Sequence, residues 1–421
     1  MTSHICIFED AQIDRMFPLA YMRPVYDLRC GISSLREKIV RAYPKATVTL
    51  HCRPYLADTV RLRNPKHHVN EIPANDCLFI NGRVVAEQNF GRKIPFGSKK
   101  DIVYVQDGVI VAAFISGARL TKFKESLSNV LPASLFEGLP EVNVDVKVAS
   151  YPWDLIHENG RELVLDFQAL MGKKRKSKRR KIEGLYLLGK EGIFIADSAV
   201  IKPGVVLDAE KGPIYIGKNV KILPFTTIVG PVYIGDDSIV KANSTIYQNT
   251  SIGPVCKVGG EIEGSIIHGY SNKQHSGFLG HSYLGAWVNL GAGTCNSDLK
   301  NNYSSVKVHL GSEEIDTGLQ FVGLTMGDHS KSAINSVFNT GTIVGVSSNI
   351  AGSGFPPKYV PSFSWGAPGE TFTTYKVDRA IDVARKVMAR RKVEFMKVDE
   401  TLFRKIFEMT SEERRKRGMP A

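Results

Sequence analysis

The run Ser271-Asn272-Lys273-Gln274-His275-Ser276-Gly277-Phe278-Leu279-Gly280 holds the densest set of side chains able to move a proton or hold an anion. It continues into His281-Ser282-Tyr283-Leu284-Gly285 and Asn289-Leu290-Gly291-Ala292-Gly293-Thr294. A neutral imidazole is the side chain suited to taking a proton from an amine near neutral pH, which makes His275 the candidate base. Glycine-rich turns such as Gly291-Ala292-Gly293 can bring backbone N–H groups close to a developing oxyanion. A base beside such donors fits proton abstraction coupled to attack on a carbonyl. Any anionic acceptor would have to use Lys273, Lys300, Lys307 or Lys331, or a C-terminal arginine from a neighbouring subunit, because no arginine occurs between Arg180 and Arg379. Lysine binds phosphate as a point charge and lacks the bidentate fork of arginine. A plainer reading makes His275 a loop hydrogen-bonder and the asparagines and aspartates turn caps.

The element that must position these residues shows in a six-residue beat. Ile216, Ile222, Ile228, Ile234, Val240, Ile246, Ile252 and Val258 recur six apart without a miss. Three short strands of this kind make one turn of a left-handed parallel β-helix with the aliphatic residues pointing inward. The spacing fits neither a helix nor a two-residue strand alternation. The prism is expected from about Leu185 to Ile350, in a domain spanning 185–355. The beat breaks at Gly264–Gly277 and Thr294–Lys307, and such interruptions are expected to project as loops from one face.

Residues 1–171 read as an α/β domain, with strands at Ile5–Phe8, Ala46–Cys52 and Asp76–Ile80 and helices at Ser33–Ala42 and Tyr55–Arg63. Gln106-Asp107-Gly108 is a hairpin turn, and a helix from Trp153 to about Ala169 closes the domain. A basic linker follows at 172–184. Beyond Phe355-Pro356-Pro357 comes a helical extension, 356–421, in which Val377, Ile381, Ala384, Met388 and Phe395 form an apolar stripe. A second helix is expected over Thr401–Met409. Both are expected to pack over the end of the prism or against neighbouring copies.

The net charge of +13 is concentrated: eight of the nine residues Lys173–Lys181 are basic, which leaves 13 − 8 = +5 for the rest. With no aromatic residue interleaved to stack bases, the run reads as a solvated linker with no specific nucleic-acid partner. No apolar stretch approaches membrane-spanning length. Six scattered cysteines without a CxxC pair, and acids directly after the first strand, point to a reduced cytoplasmic protein.

The segments SNKQHSGFLGHSYLG, SDLKN and FPPKYVPSFSWG, in a chain that runs α/β domain, β-helix, tail, resemble a known family. It is the bacterial bifunctional N-acetylglucosamine-1-phosphate uridyltransferase/glucosamine-1-phosphate acetyltransferase family, in its divergent Bacteroidetes-type branch. The resemblance implies acetyl-CoA as co-substrate, an amino-sugar phosphate as acceptor, a homotrimer and a role in making UDP-N-acetylglucosamine for the cell envelope. It places His275 at the catalytic base and Asn289, Asn296 and Asp298 at acceptor contacts, joined by Lys273 and Lys300. Ala292 and Lys331 are expected to face the acyl-CoA. Phe278 replaces a tyrosine of the family pattern, Ser297 replaces another, and the family's phosphate-binding arginine and lysine are missing.

In the first domain the resemblance implies nucleotidyl transfer, with Arg15, Arg23, Asn81 and Arg83 as the nucleotide or sugar-phosphate contacts. The Gly-rich phosphate loop is replaced by Phe8-Glu9-Asp10-Ala11-Gln12-Ile13-Asp14-Arg15. Arg83 stands where the family's Mg²⁺-binding aspartate would be, so Mg²⁺ is expected only if this domain turns over. Two other readings follow from the same residues. One is a degenerate nucleotide-sugar-binding trimeric scaffold. The other is a γ-carbonic-anhydrase-like zinc enzyme built on His268, His275 and His281; the main reading includes no bound metal at the prism.

Overall fold

The computed structural model describes residues 3–97, 100–172, 182–352 and 354–419, so the basic run Lys173–Lys181 lies outside the described residues. The first domain is built on a seven-stranded sheet in the order Glu141–Asn143, Ile102–Gln106, Val109–Ser116, Asp76–Asn81, His4–Phe8, Thr47–Leu50, His68–Val69. His4–Phe8 is parallel to both of its neighbours, and every residue in it is buried, as a central strand covered on both faces requires. The hairpin turns at Asp107 and Gly108, both in the left-handed region. The helix Leu35–Ala42 starts at a capping box between Ser34 and Glu37.

From Leu185 the chain winds into a prism of stacked parallel strands. One sheet collects six strands from Leu185–Leu188 to Phe278–Gly280, the second nine from Ile193–Ile195 to Tyr359–Val360. The third runs from Val200–Ile201 to Asn272–Lys273 and resumes at Lys331–Ser332. All eight aliphatic residues of the beat have zero exposure, and full burial of each is worth about 1.5–3 kcal/mol. Three residues after most of them the chain turns a corner. Asn219, Phe225, Asp237, Asn243, Asn249 and Val255 sit there with φ between +56° and +61°. For Phe225 and Val255 this conformation is unfavourable, and stacked neighbours above and below impose it.

The two breaks in the beat have different causes. At 264–277 the coil continues in register, Ile266–Ile267 on Ser251–Ile252 and Asn272–Lys273 on Lys257–Val258. The six-residue beat is lost there because the coil shortens: Ile262 stacks on Ile246, Ile267 on Ile252 and Lys273 on Val258, at separations of 16, 15 and 15 residues instead of the 18 of the coils before. At the second break the chain leaves the prism, forms a hairpin of Lys307–Leu310 and Glu313–Asp316, and returns at Thr325–Met326.

The C-terminal helices Val377–Ala389 and Lys397–Met409 do not cap the prism end as expected. Ala380, Ile381, Ala384, Leu402, Phe403 and Ile406 share one core with the first domain and with Val346 and Phe363 of the prism. Phe372 and Met419 instead join the core of the prism interior. The helix Pro152–Met171 is likewise wedged between domain and prism. Its Asn159 accepts from the Gly31 backbone at 2.7 Å and donates to the Asn249 carbonyl at 2.7 Å. Gly160 allows that approach, since a Cβ there would lie 2.1 Å from Asn249 Oδ1.

Candidate active site

Stacked coils place one histidine on each edge of the prism. His268 follows a second-sheet strand, His275 a third-sheet strand and His281 a first-sheet strand. Among the described residues no group of three His, Cys, Asp or Glu can hold a metal ion, so the zinc reading fails within one chain. His268 is occupied by the first domain, with Nε2 at 3.0 Å from the Asp27 carbonyl, and burial holds its pKa well below the usual value.

His275 lies on the edge between the third and first sheets. It is exposed, and among the described residues its ring has no hydrogen-bond partner. The next coil places Gly291-Ala292-Gly293-Thr294 directly over its turn, with Gly293 N–H donating to Ser276 O at 3.1 Å. Gly291 N–H is committed to Ser332, and Thr294 N–H to Gly291 O. Ala292 is left with a backbone N–H that has no acceptor among the described residues. An unengaged imidazole therefore shares an edge with an unengaged backbone donor, the pair that acyl transfer needs.

Several expected contacts have other duties. Lys273 points into the prism at 2% exposure, and its ammonium donates to Gly259 O at 3.0 Å and His275 O at 2.7 Å. Burial lowers its pKa to about 8. It shapes the turn that presents His275 and is not turned toward an acceptor. Asn296 also points inward, with its amide closing on both the N–H and the carbonyl of Gly280 at 2.9 and 3.0 Å. Lys300 caps its own loop through the Ser305 carbonyl at 2.5 Å. Lys331 donates to the His329 carbonyl at 2.7 Å, and burial lowers its pKa to about 8.

Asp298 orients a different histidine. Its Oδ2 lies 2.8 Å from Nδ1 of His281, whose ring sits beside Phe321 and above Gly264. A carboxylate on Nδ1 fixes the ring's orientation, with Nε2 over Gly264. Sequence reading missed this pair because seventeen residues and a coil separate its members. Asn289 stays half-exposed on the third sheet and accepts from Asn272 at 3.3 Å. Asn272 in turn accepts from Arg391 Nη2 at 2.8 Å, so the arginine missing from the prism's own sequence arrives from the C-terminal extension of the same chain.

In the first domain the expected phosphate contacts are each engaged by other residues of the chain. Arg83 has zero exposure and grips Asp10 through Nε at 3.1 Å and Nη2 at 2.6 Å, while Asn81 donates to Asp10 at 2.9 Å. A buried guanidinium already neutralised by Asp10 does not fit a Mg²⁺ site. Arg23 is paired with the buried Asp328 of the prism, and Arg15 lies over the Tyr151 ring at 5.5 Å. Arg29 and Tyr283 exchange two hydrogen bonds across the same contact, at 2.8 and 3.0 Å. The segment carrying Arg23 and Arg29, downstream of the would-be phosphate loop, is therefore seated on the prism.

Residues 5–175 match the sugar nucleotidyl transferase family model, and 213–248 match the model for six bacterial transferase hexapeptide repeats. The bifunctional protein GlmU of Synechococcus sp. (strain CC9311) is 28% identical over 172 residues, covering 40% of this chain and 33% of that protein. GlmU of Bartonella quintana (strain Toulouse) is 23% identical over 302 residues, covering 67% of this chain and 60% of that protein. The chain spans only 29–40% of the length of the first four curated relatives it matches. Among solved structures, the Francisella novicida UDP-N-acetylglucosamine acyltransferase is 15% identical at a TM-score of 0.33, covering 56% of this chain and 86% of that one. The chain thus carries a sugar nucleotidyl transferase unit ahead of hexapeptide coils and is similar, over part of its length, to bifunctional GlmU proteins.

Proposed function

We propose that this protein is an acyl-CoA-dependent N-acyltransferase acting on an amino-sugar phosphate in sugar-nucleotide biosynthesis. Acetyl-CoA is the donor, and His275 is the base that takes the amine proton. The observation that carries this is the edge itself, where the free His275 ring and the free Ala292 N–H come from adjacent coils. The base frees the amine to attack the thioester carbonyl, the Ala292 donor steadies the oxyanion, and CoA leaves as the thiol. Asn289, linked through Asn272 to Arg391, is the nearest polar side chain for the sugar. The sugar nucleotidyl transferase match of residues 5–175 and the similarity to bifunctional GlmU proteins support a sugar-nucleotide setting.

Turnover is assigned to the prism. The first domain keeps the nucleotidyltransferase fold, and nucleotidyl transfer there requires the segment around Arg23 to leave Asp328. A homotrimer completes the reading. The second sheet is occupied by the first domain, and the helix Val377–Ala389 runs beside the third, from Tyr375 against Trp365 to Arg391 on Asn272. The first sheet and its edge leave Tyr186, Phe225 and Ile334 more than 60% exposed, an apolar face suited to a second copy. No helix among the described residues is long and apolar enough to cross a membrane, and a cytoplasmic site of action is part of this proposal.

The test is a coupled assay on the purified full chain, reading CoA release with acetyl-CoA and glucosamine 1-phosphate beside pyrophosphate release with UTP and N-acetylglucosamine 1-phosphate. CoA release without pyrophosphate is the expected pattern. Silence in the CoA channel with this and other amino-sugar phosphates would refute the acyltransferase and favour the scaffold.

A further inference from the structure

We infer that Lys241, Lys257, Arg390 and Arg391 form a binding site for the phosphate groups of a small substrate, on the third sheet beside the His275 edge. The choice of probes rests on the acyl-transfer reading, and the readout is direct binding so that the two can fail separately.

Lys257 faces outward on the third sheet, in register between Ile239 and Asn272. Lys241 follows the strand Ile239–Val240 and passes Gly259, where a Cβ would lie 3.1 Å from the Lys241 Cβ. Gly259 lies directly beneath Gln274, the residue before His275. Arg390 and Arg391 follow the last turn of the helix Val377–Ala389, and Arg391 is anchored by its 2.8 Å bond to Asn272. Cations at a helix C-terminus are favoured by its dipole, but that does not account for two lysines brought to face them from the prism.

None of the four has a carboxylate partner in any ion pair among the described residues. Burial, then the neighbouring Arg391, Arg390 and Lys241, hold the Lys257 ammonium below its ordinary pKa. Four uncompensated cations repel one another in the free protein, and an anion with several oxygens relieves that repulsion. Asn272 fixes one Nη2 hydrogen of Arg391, and the remaining guanidinium N–H groups are available to a phosphate. The site supplies the fork that the prism sequence lacks.

Two sources carry this chemistry next to His275: the phosphates of CoA and the phosphate of the sugar acceptor. Calorimetric titration of the full chain with inorganic pyrophosphate, CoA and glucosamine 1-phosphate separates them. Pyrophosphate affinity is expected to fall about tenfold in Arg391→Gln and in Lys257→Gln, less in Arg391→Lys, and not at all in His275→Ala. A matching loss for CoA alone assigns the site to the coenzyme, and for glucosamine 1-phosphate alone to the acceptor. Wild-type protein that binds no pyrophosphate overturns the site. So do Arg391→Gln and Lys257→Gln variants that melt like wild type and bind all three anions undiminished. Loss of CoA release with pyrophosphate binding intact would count against the acyltransferase and not against the site.

Discussion

Lys273 shows how a residue's environment can redirect its chemistry. In the sequence it stands two residues before the candidate base and reads as an acceptor contact, yet the strand alternation turns it into the prism. Its pKa falls from 10.5 to about 8 because burial disfavours the ammonium. Between those values the unfolded chain holds the proton more tightly than the folded one. Stability therefore rises as pH climbs from about 8 to 10.5, by at most about 3 kcal/mol. Lys331 acts in the same direction. Urea midpoints at pH 7, 8.5 and 9.5 should increase in the wild type and rise less steeply in Lys273→Met, where Lys331 alone remains; a falling wild-type series would contradict the assignment. The His281–Asp298 pair sets a second residue-scale test. With His275 as the base, Asp298→Asn leaves CoA release within a few-fold of wild type. A loss of 100-fold or more would transfer the proton step to His281.

Among the elements, the prism coils were legible because an aliphatic residue every six positions has one geometric solution. Ile234→Ala should therefore lower stability by about 2–5 kcal/mol in urea unfolding, since Ile234 has no exposure and sits mid-column. A cost below 1 kcal/mol would mean the column is looser than described. The break at 264–277 was misread as a projecting loop because the coil there is two to three residues shorter, which destroys the six-residue spacing while the parallel pairing continues. The excursion after Asn296 was legible as a departure, but its hairpin was not. The His281–Asp298 and Arg391–Asn272 contacts were invisible because each joins residues distant in sequence that only coil stacking or helix placement brings together. Arg83 stands where the resemblance implies a metal-binding aspartate, but its buried pairing with Asp10 depends on a fold that sequence spacing does not specify.

At the scale of the molecule, the first domain, the prism and the C-terminal helices share cores and are not beads on a linker. The buried Arg23–Asp328 pair clamps the segment after the would-be phosphate loop to the prism. Removing one member leaves an unpaired buried charge, so Arg23→Ala should cost about 3–5 kcal/mol. The double change with Asp328→Ala should cost less than the sum of the single changes; simple additivity in this cycle would mean that the clamp carries no coupling. Gly160→Ala, which forces a Cβ onto Asn249, should lower the melting midpoint of domain and prism together. The central claim concerns the edge where His275 and Ala292 meet, and comparing CoA release from acetyl-CoA and glucosamine 1-phosphate in wild type, His275→Ala and His281→Ala tests it most directly. The account predicts a fall of at least about 100-fold in His275→Ala and only a few-fold change in His281→Ala. Undiminished release from His275→Ala would contradict it.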